Sequence, residues 1–404
     1  MSVAIQQQVP QGEEQPLRVE VVEGRDAFNA LEREWNAAWA RGPRPEPMLR
    51  HDFVKAWIEN FAPGAELRTF VVRGGKEIHA ALPLIETVEK GADTCFVELT
   101  TWSTPANDQS QRGGFVLGRR HEEALQLLWD RLADQPGWDR LRLRELPDGA
   151  AEWRLRDLAE KAGYPTGLWV SLRSPFLELP ATVAQKPAPG AKKPPAIQGA
   201  YEQIEAALDG KFRQNLRRRK RRLAEKGEVK YVLLDGKKDL EAALADFFDI
   251  EASGWKGEGG TAIAMKPETV GFYTQVARDA AKRGALALGF LEHQGKRIAG
   301  HLSIVESGRH FLLKVGYDES LREFSPGQQL ASACIEDSCK RGLREFDFLG
   351  PCMDWKLDWE PALRTHRWLT IFRPTQKGTL VHAARFVAWP VVRRVLDRLK
   401  EKSR

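Results

Sequence analysis

Cysteine is scarce: Cys95, Cys334, Cys339 and Cys352 are the only four in a chain of 404 residues. So few exclude a disulfide framework and fit a reducing compartment. Cys334 and Cys339 fall in an apparent amphipathic helix, at a spacing that matches no common zinc pattern. They read as small buried hydrophobes, and no metal is expected. No apolar run approaches the roughly 20 residues needed to cross a bilayer. Met1 to Pro16 is rich in Gln and Glu, with neither a basic start followed by an apolar run nor a small-residue cleavage site. No secretory signal is therefore expected, and a cytoplasmic location follows. A strong charge imbalance is missing too: 62 basic residues stand against 56 acidic ones, a formal +6 at pH 7. That excess is too modest to define a polyanion-binding protein, so where the charge sits matters more.

What is present supports a folded chain. The composition is 42% hydrophobic with 18 Phe and 13 Trp, enough apolar surface for ordinary cores, and the length points to two domains. A weak internal repeat divides the chain. Gly75-Lys76-Glu77-Ile78-His79-Ala80-Ala81-Leu82-Pro83-Leu84-Ile85 aligns without gaps on Gly295-Lys296-Arg297-Ile298-Ala299-Gly300-His301-Leu302-Ser303-Ile304-Val305, and Phe70 coincides with Phe290. Both copies read as strand, tight turn, strand, with one buried face. The flanking elements repeat as well. In the first half a strand at Leu17 to Val22, helices at Arg25 to Ala40 and Arg50 to Phe61, and strands from Leu67, Ile78 and Cys95 are expected. A helix at Glu122 to Ala133, a strand at Arg140 to Arg144, a helix at Glu152 to Ala162 and a final strand pair follow. In the second half the order is a strand at Val229 to Leu234, helices at Asp239 to Gly254 and Glu268 to Arg283, and strands from Ala285, Arg297 and Arg309. A helix at Gly327 to Lys340 and strands at Arg344 to Leu349 and Arg367 to Phe372 close it. Between the halves, 180–200 is dominated by Pro, Ala and Lys and reads as a solvated linker or insertion.

The second half carries several local motifs. They are Lys211-Phe212-Arg213-Gln214-Asn215-Leu216-Arg217-Arg218-Arg219, Gly254-Trp255-Lys256, Lys314-Val315-Gly316-Tyr317-Asp318-Glu319, Ser325-Pro326-Gly327-Gln328-Gln329-Leu330 and Phe346-Asp347-Phe348-Leu349-Gly350 with Lys356 and Trp359. On these residues and the element order, the chain resembles the GNAT acyltransferases, in particular CelD-like acetyltransferases associated with cellulose and exopolysaccharide biosynthesis. In architecture it is similar to the FemAB-like aminoacyltransferases. The resemblance implies an α/β fold of two tandem GNAT-like domains, each a mixed central sheet flanked by helices. These are a degenerate domain at 17–179, the 180–200 segment, an acyltransferase domain at 201–379 and a basic amphipathic helix at 380–404. It implies a bacterial acyltransferase that uses acetyl-CoA or another acyl-CoA as co-substrate, with a sugar or cell-envelope precursor as acceptor. The sequence departs from the family in one respect. Neither half has the Arg/Gln-x-x-Gly-x-Gly/Ala loop that precedes the pyrophosphate-binding helix. In its place stand Ser325, Pro326 and Gly327, with Gln328 and Gln329 following. A capping Ser, a Pro at the first turn and a Gly allowing close approach can still present free amides and a positive helix end to an anion.

A GNAT-type site orients two substrates, removes a proton from the acceptor and stabilises the leaving thiolate. The resemblance places it between two splayed strands, with Lys314, Tyr317 and Asp318 at the end of one and Asp347 on the other. Tyr317 is the candidate proton donor to the leaving group. Asp347, between Phe346 and Phe348, is the candidate base, against the alternative that it caps a loop or pairs with Lys356. Lys314 and Lys356 sit among apolar residues and complete the catalytic candidates, although snorkelling would explain both. His301, on a predicted strand, reads as a hydrogen-bonded structural residue.

Two basic segments remain. Lys211 to Lys226 holds nine basic residues and one acid, with Phe212, Leu216 and Leu223 on one helical face. The resemblance implies that Arg213, Arg217 and Arg218, with Trp255, contact a phosphorylated or nucleotide-linked acceptor; a solvated face is the alternative. No nucleic-acid-binding signature accompanies the run, so nucleic acid is expected only if the donor is aminoacyl-tRNA. Ala384 to Arg404 carries seven basic residues and two acids, with Trp389, Val392, Leu396 and Leu399 at helical spacing. It fits either peripheral contact with an anionic inner membrane or packing on its own domain. The polar loop Asn107 to Arg112 is expected to face the acceptor through Asn107 and Asp108. Three functions stay open on the sequence: acyl transfer from acyl-CoA, aminoacyl transfer from charged tRNA, and a non-catalytic role in polysaccharide assembly.

Overall fold

The computed structural model describes residues 15–180, 199–253 and 262–390. Trp255, most of the 180–200 segment and the last part of the basic C-terminal stretch lie outside the described residues. The first half runs β1 (Leu17–Glu23), α1 (Arg25–Asn29), α2 (Glu32–Arg41), α3 (His51–Phe61), β2 (Leu67–Gly74), β3 (Glu77–Glu89), β4 (Leu99–Ser103), β5 (Val116–Leu117), α4 (His121–Asp134), β6 (Arg140–Pro147), α5 (Arg154–Lys161) and β7 (Thr166–Glu178). The second half runs α6 (Ala200–Ala207), α7 (Gly210–Ala224), β8 (Val229–Leu234), α8 (Leu240–Ala252), α9 (Pro267–Lys282), β9 (Leu286–His293), β10 (Lys296–Glu306), β11 (Arg309–Tyr317), α10 (Pro326–Lys340), β12 (Glu345–Asp347), α11 (Asp354–Leu357), β13 (Ala362–Phe372) and α12 (Gln376–His382).

The repeated hairpins form as the pattern predicts, β2 with β3 and β9 with β10. In the second, Gln294 and Gly295 both have positive φ, 51° and 77°, the geometry of a two-residue turn that matches strand twist. Three expectations shift. The helix expected over Arg25 to Ala40 is broken into α1 and α2. The strand expected from Cys95 begins at Leu99, because Cys95 and Phe96 adopt left-handed φ of 51° and 61° and turn the chain first. The final strand pair of the first half is one long strand, β7.

Thirteen strands join in a single mixed sheet, in the order β1-β2-β3-β4-β6-β13-β7-β12-β11-β10-β9-β8, with β5 beside β3. The closing strands are exchanged. β13, from the end of the chain, pairs with β6 of the first half, and β7, from the first half, pairs with β12 of the second. β7 and β13 then pair with each other, so no edge is left at the centre. The exchange ties the halves together. A core cluster also crosses between them: Phe53 of α3 meets Phe272 of α9 edge-on at 5.3 Å, and Trp35, Trp57 and Phe290 belong to the same cluster. Around it, Arg283 pairs with Asp52 at 2.5 Å and Arg50 with Glu306 at 3.2 Å. The segment dividing the halves in sequence is therefore not a boundary in packing.

Candidate functional site

β11 and β12 are parallel neighbours over only three residues, Arg309 to Phe311 against Glu345 to Asp347. β11 then continues to Tyr317, while the chain beyond β12 turns away through Leu349 and Gly350, both at positive φ. The gap between them is a cavity of about 500 Å³, lined along β11 by Leu312 to Tyr317 and across from it by Phe348, Gly350, Pro351 and Trp355. The β10–β11 register slips between Leu302 and Ser303, where Lys314 and Leu312 are their partners, so Leu313 is the extra residue of a bulge. A bulge frees backbone groups from the ladder. Here the Leu313 carbonyl accepts a hydrogen bond from Gln111 Nε2 at 3.0 Å.

The mouth of the cavity is the first turn of α10. Ser325 is left-handed at φ 50°, Pro326 opens the helix, and Ser325, Gly327 and Gln328 line the space. A Cβ at Gly327 would sit 3.1 Å from the Tyr317 ring, so this position brings helix end and strand end together. The Gln328 and Gln329 amides donate to the Ser325 carbonyl, so the groups that favour an anion there are the Gly327 amide and the helix dipole. Arg219 of α7 donates to Ser325 Oγ and lines the same space with Arg322. Gln328 offers no free side chain, because its amide donates to the Trp355 carbonyl and to Asp358, each at 2.9 Å, and accepts from Trp359 Nε1 at 2.8 Å. Gln329 is buried against the Phe324 carbonyl, outside the lining.

Tyr317 lines the cavity, and burial together with neighbouring Glu319 raises its phenol above the ordinary value. It stays protonated at neutral pH, as a proton donor must. Lys314 lines the cavity with its ammonium 5.3 Å from the Tyr273 ring centroid. Lys356 also lines it, but its ammonium donates to the carbonyls of Leu349 at 2.6 Å and Pro351 at 3.1 Å and so secures the turn after β12. Asp318 caps the following turn through Ser320 and pairs with Lys296.

Asp347, expected as the base, is not part of the lining. It faces away from Phe348 and the cavity, fully buried, with Arg112 at 2.5 Å, Arg364 at 3.2 Å and the Leu349 amide at 2.9 Å. A carboxylate held by two guanidinium groups and an amide is a structural anion. The carboxylates that do line the cavity are Glu251, Glu319 and Asp358. Glu251, at the end of α8, is only 3% exposed and accepts from the Ile263 amide at 2.8 Å. It reaches the cavity because Gly316 has no side chain; a Cβ there would lie 2.5 Å from the Glu251 Cα.

Two further expectations move by a few residues. Arg213, Arg217 and Arg218 are not in the cavity. With Gln214, Asn215 and Arg221 they line a separate open recess of about 460 Å³, Arg217 pairs with Glu205, and Arg213 donates to the Ala206 carbonyl. The basic residue of α7 that faces the cavity is Arg219. It follows Phe212 and Leu216 and precedes Leu223 at helical spacing, so a cation on the apolar stripe was the signal that singles it out. The loop after β4 does reach the site, but through other residues than Asn107 and Asp108. Gln111 enters the cavity, Gln109 accepts from Tyr273 at 3.0 Å, and Arg112 pairs with Asp347. The first half thus completes the site of the second.

Residues 210–357 match the GNAT acetyltransferase domain family, a span that runs from α7 to α11 and contains the whole splay. No curated protein sequence matches the chain. Among solved structures, FemX superposes with a TM-score of 0.55 at 11% identity, covering 85% of this chain and 96% of that one. A conserved protein of unknown function from Bacteroides thetaiotaomicron superposes with 0.51 at 12%, covering 85% and 97%. A tandem GNAT protein from the clavulanic acid biosynthesis pathway gives 0.42 at 15%, covering 89% and 100%. For FemX and the Bacteroides protein the likeness, at these identities, is one of fold, and it extends over both halves.

Proposed function

We propose that this chain, whose second half is a GNAT-type acyltransferase domain, moves an acyl group from acyl-CoA to an amine or hydroxyl of a sugar or cell-envelope precursor. The observation that carries this reading is the coincidence of three features at one cavity: the splay of β11 and β12, the open first turn of α10, and Arg219 beside it. An acyl-CoA fits that rim because the Gly327 amide, Arg219 and Arg322 offer an anion site, and the missing Cβ of Gly327 leaves room for a close approach. The co-substrate would supply the activated thioester. The chain's own work is then to hold acceptor and donor in line, take one proton and give one back. Glu251 is the residue we assign to the first task, as a carboxylate shielded from water and opening on the cavity. Tyr317, kept protonated, is assigned to the second. A bond forms from acceptor nitrogen or oxygen to the acyl carbon, the carbon–sulfur bond breaks, and the sulfur takes the phenol proton.

The resemblance to FemAB-like proteins keeps a second reading, in which the donor is an aminoacyl-tRNA. The recess on the outer face of α7, lined by Arg213, Arg217, Arg218 and Arg221, favours it as a place for a phosphate backbone. A role at a membrane surface is supported by the exposure of Leu380, Val387 and Trp389 after β13. Among the described residues no helix is long and apolar enough to cross a membrane. Calorimetric titration with acetyl-CoA and longer acyl-CoAs, beside a Gly327→Glu variant, tests the main reading. Saturable binding that the variant abolishes supports it. No binding to any CoA, with salt-sensitive binding of tRNA, transfers the assignment to the second.

A further inference from the structure

We infer that Tyr231, His301, His310 and Cys334 form a closed binding site for one zinc ion, apart from the lining of the acyl-transfer cavity. The four come from four elements, β8, β10, β11 and α10, and three of them are at most 1% exposed. One ring nitrogen from each histidine and the Cys334 sulfur all lie within 4.8 Å of one another. His310 Nε2 is 3.3 Å from the sulfur, and His301 Nε2 is 2.8 Å from the Tyr231 oxygen.

The second shell points the same way. His301 Nδ1 meets Ser303 Oγ at 2.8 Å, and His310 Nδ1 meets Ser338 Oγ at 3.1 Å. Each ring therefore spends its outer nitrogen on a serine, and each Nε2 is turned toward Cys334 and Tyr231. Such anchoring of the far nitrogen is what orients metal-ligating histidines. The backbone leaves room for the cluster at Gly289, where a Cβ would lie 2.1 Å from His301 Nε2 and 2.8 Å from the Tyr231 oxygen.

The donor set selects the ion. Two imidazoles and a thiol, closed off from water, suit a borderline-soft ion without redox demands, and metal–ligand bonds of about 2.0–2.3 Å put tetrahedral donors about 3.3–3.8 Å apart. His310 Nε2 and the sulfur are already at such a spacing, 3.3 Å; the His301–Tyr231 pair opens from 2.8 Å by about 0.5 Å and the widest pair closes from within 4.8 Å by about 1 Å, shifts that flexible side chains share. Binding displaces the thiol proton of Cys334 and the phenol proton of Tyr231 to solvent, so the sulfur enters as thiolate and the oxygen as phenolate. The ion would cross-link α10, the helix whose first turn forms the cavity mouth, to the strands beneath it.

The test is the metal content of the purified full-length chain, expressed with zinc supplied, by mass spectrometry. About one zinc per chain is expected for a folding-linked site, retained by Cys95→Ser and lost from Cys334→Ser. Because poor folding of Cys334→Ser on other grounds would also lower its zinc content, cobalt-substituted protein gives a second readout. Thiolate-to-cobalt charge transfer and tetrahedral d–d bands are expected in the unaltered sequence. Zinc below a tenth per chain, zinc that survives Cys334→Ser, or cobalt spectra lacking a sulfur band would each overturn the site and leave the four residues as a hydrogen-bonded core network. None of these outcomes depends on acyl-CoA binding.

Discussion

Asp347 decides between chemistry and architecture at this site, and one substitution separates them. Asp347→Asn keeps the shape and removes the charge. In the native chain the carboxylate accepts from Arg112 at 2.5 Å, from Arg364 at 3.2 Å and from the Leu349 amide at 2.9 Å. Arg364 keeps an alternative partner, Glu345, at 3.0 Å. Arg112 does not: its remaining bonds are to Ser174 Oγ at 3.1 Å and the Gln111 carbonyl at 3.2 Å, and its side chain is fully buried. Orphaning one buried charge costs about 3–5 kcal/mol. The neutral bonds left to Arg112 place the expected loss near the lower end, about 3 kcal/mol. Urea denaturation at pH 7 reads this as a lower midpoint at unchanged slope. The double variant Asp347→Asn, Arg112→Met removes the orphan and should lose less than the sum of the single changes. Gln111, next to Arg112, lines the cavity, so loosening the loop should raise the acceptor KM more than it lowers kcat. If Asp347→Asn instead abolishes turnover with stability unchanged, Asp347 acts on the substrates and the structural assignment fails.

Other outcomes follow from the same geometry. Glu251→Gln should lower kcat by about 10²–10⁴, the usual contribution of a general base, while leaving the calorimetric Kd for acyl-CoA unchanged. A weaker effect would place the base elsewhere. For Tyr317, the raised pKa means that the protonated form persists above the ordinary tyrosine range; the wild-type rate should fall only in strong alkali, and Tyr317→Phe should lower kcat and erase that limb. His366 is buried with both ring nitrogens unpartnered, and burial beside Arg112, Arg44 and Arg364 lowers its pKa to about 2. The unfolded chain takes up a proton that the folded chain refuses, so this residue costs stability as pH falls below its unfolded value of about 6.5. Between pH 7 and 5.5 the loss is about 1 kcal/mol, and His366→Leu should flatten the curve by that amount in denaturant titrations.

The repeat and the hairpins were legible because each rests on local pattern, alternating apolar residues and turn glycines, whereas the splay at β11 and β12 was implied by the family resemblance. The strand exchange was not. Which strand lies beside β12 is settled by pairing over a long sequence separation, and nothing in Thr166 to Glu178 marks it for the second half rather than the first. That pairing also fixes where Asp347 points. Strict alternation correctly turns it away from Phe346 and Phe348, but which of the two opposite directions opens on the cavity is fixed by the sheet's neighbours. On Asp347's side β7 brings Ser174, and the loop after β4 brings Arg112.

Arg219 and Glu251 show what sequence could have offered instead. Arg219 continues the stripe of Phe212, Leu216 and Leu223, and Glu251 continues that of Leu244, Phe247 and Phe248. A charge on the apolar face of an amphipathic helix must find a partner or an opening when that face is buried. In both helices it finds the same cavity. The run of arginines drew attention to Arg213, Arg217 and Arg218 by number, yet helical position rather than charge density decides which cation reaches the site. The same logic applied to β10 and β11 sets His301 and His310 apart, since polar rings on strands buried on both faces must be satisfied from within. What satisfies them, serine and tyrosine hydroxyls alone or an ion as well, is a question of convergence in space that spacing along the chain cannot pose.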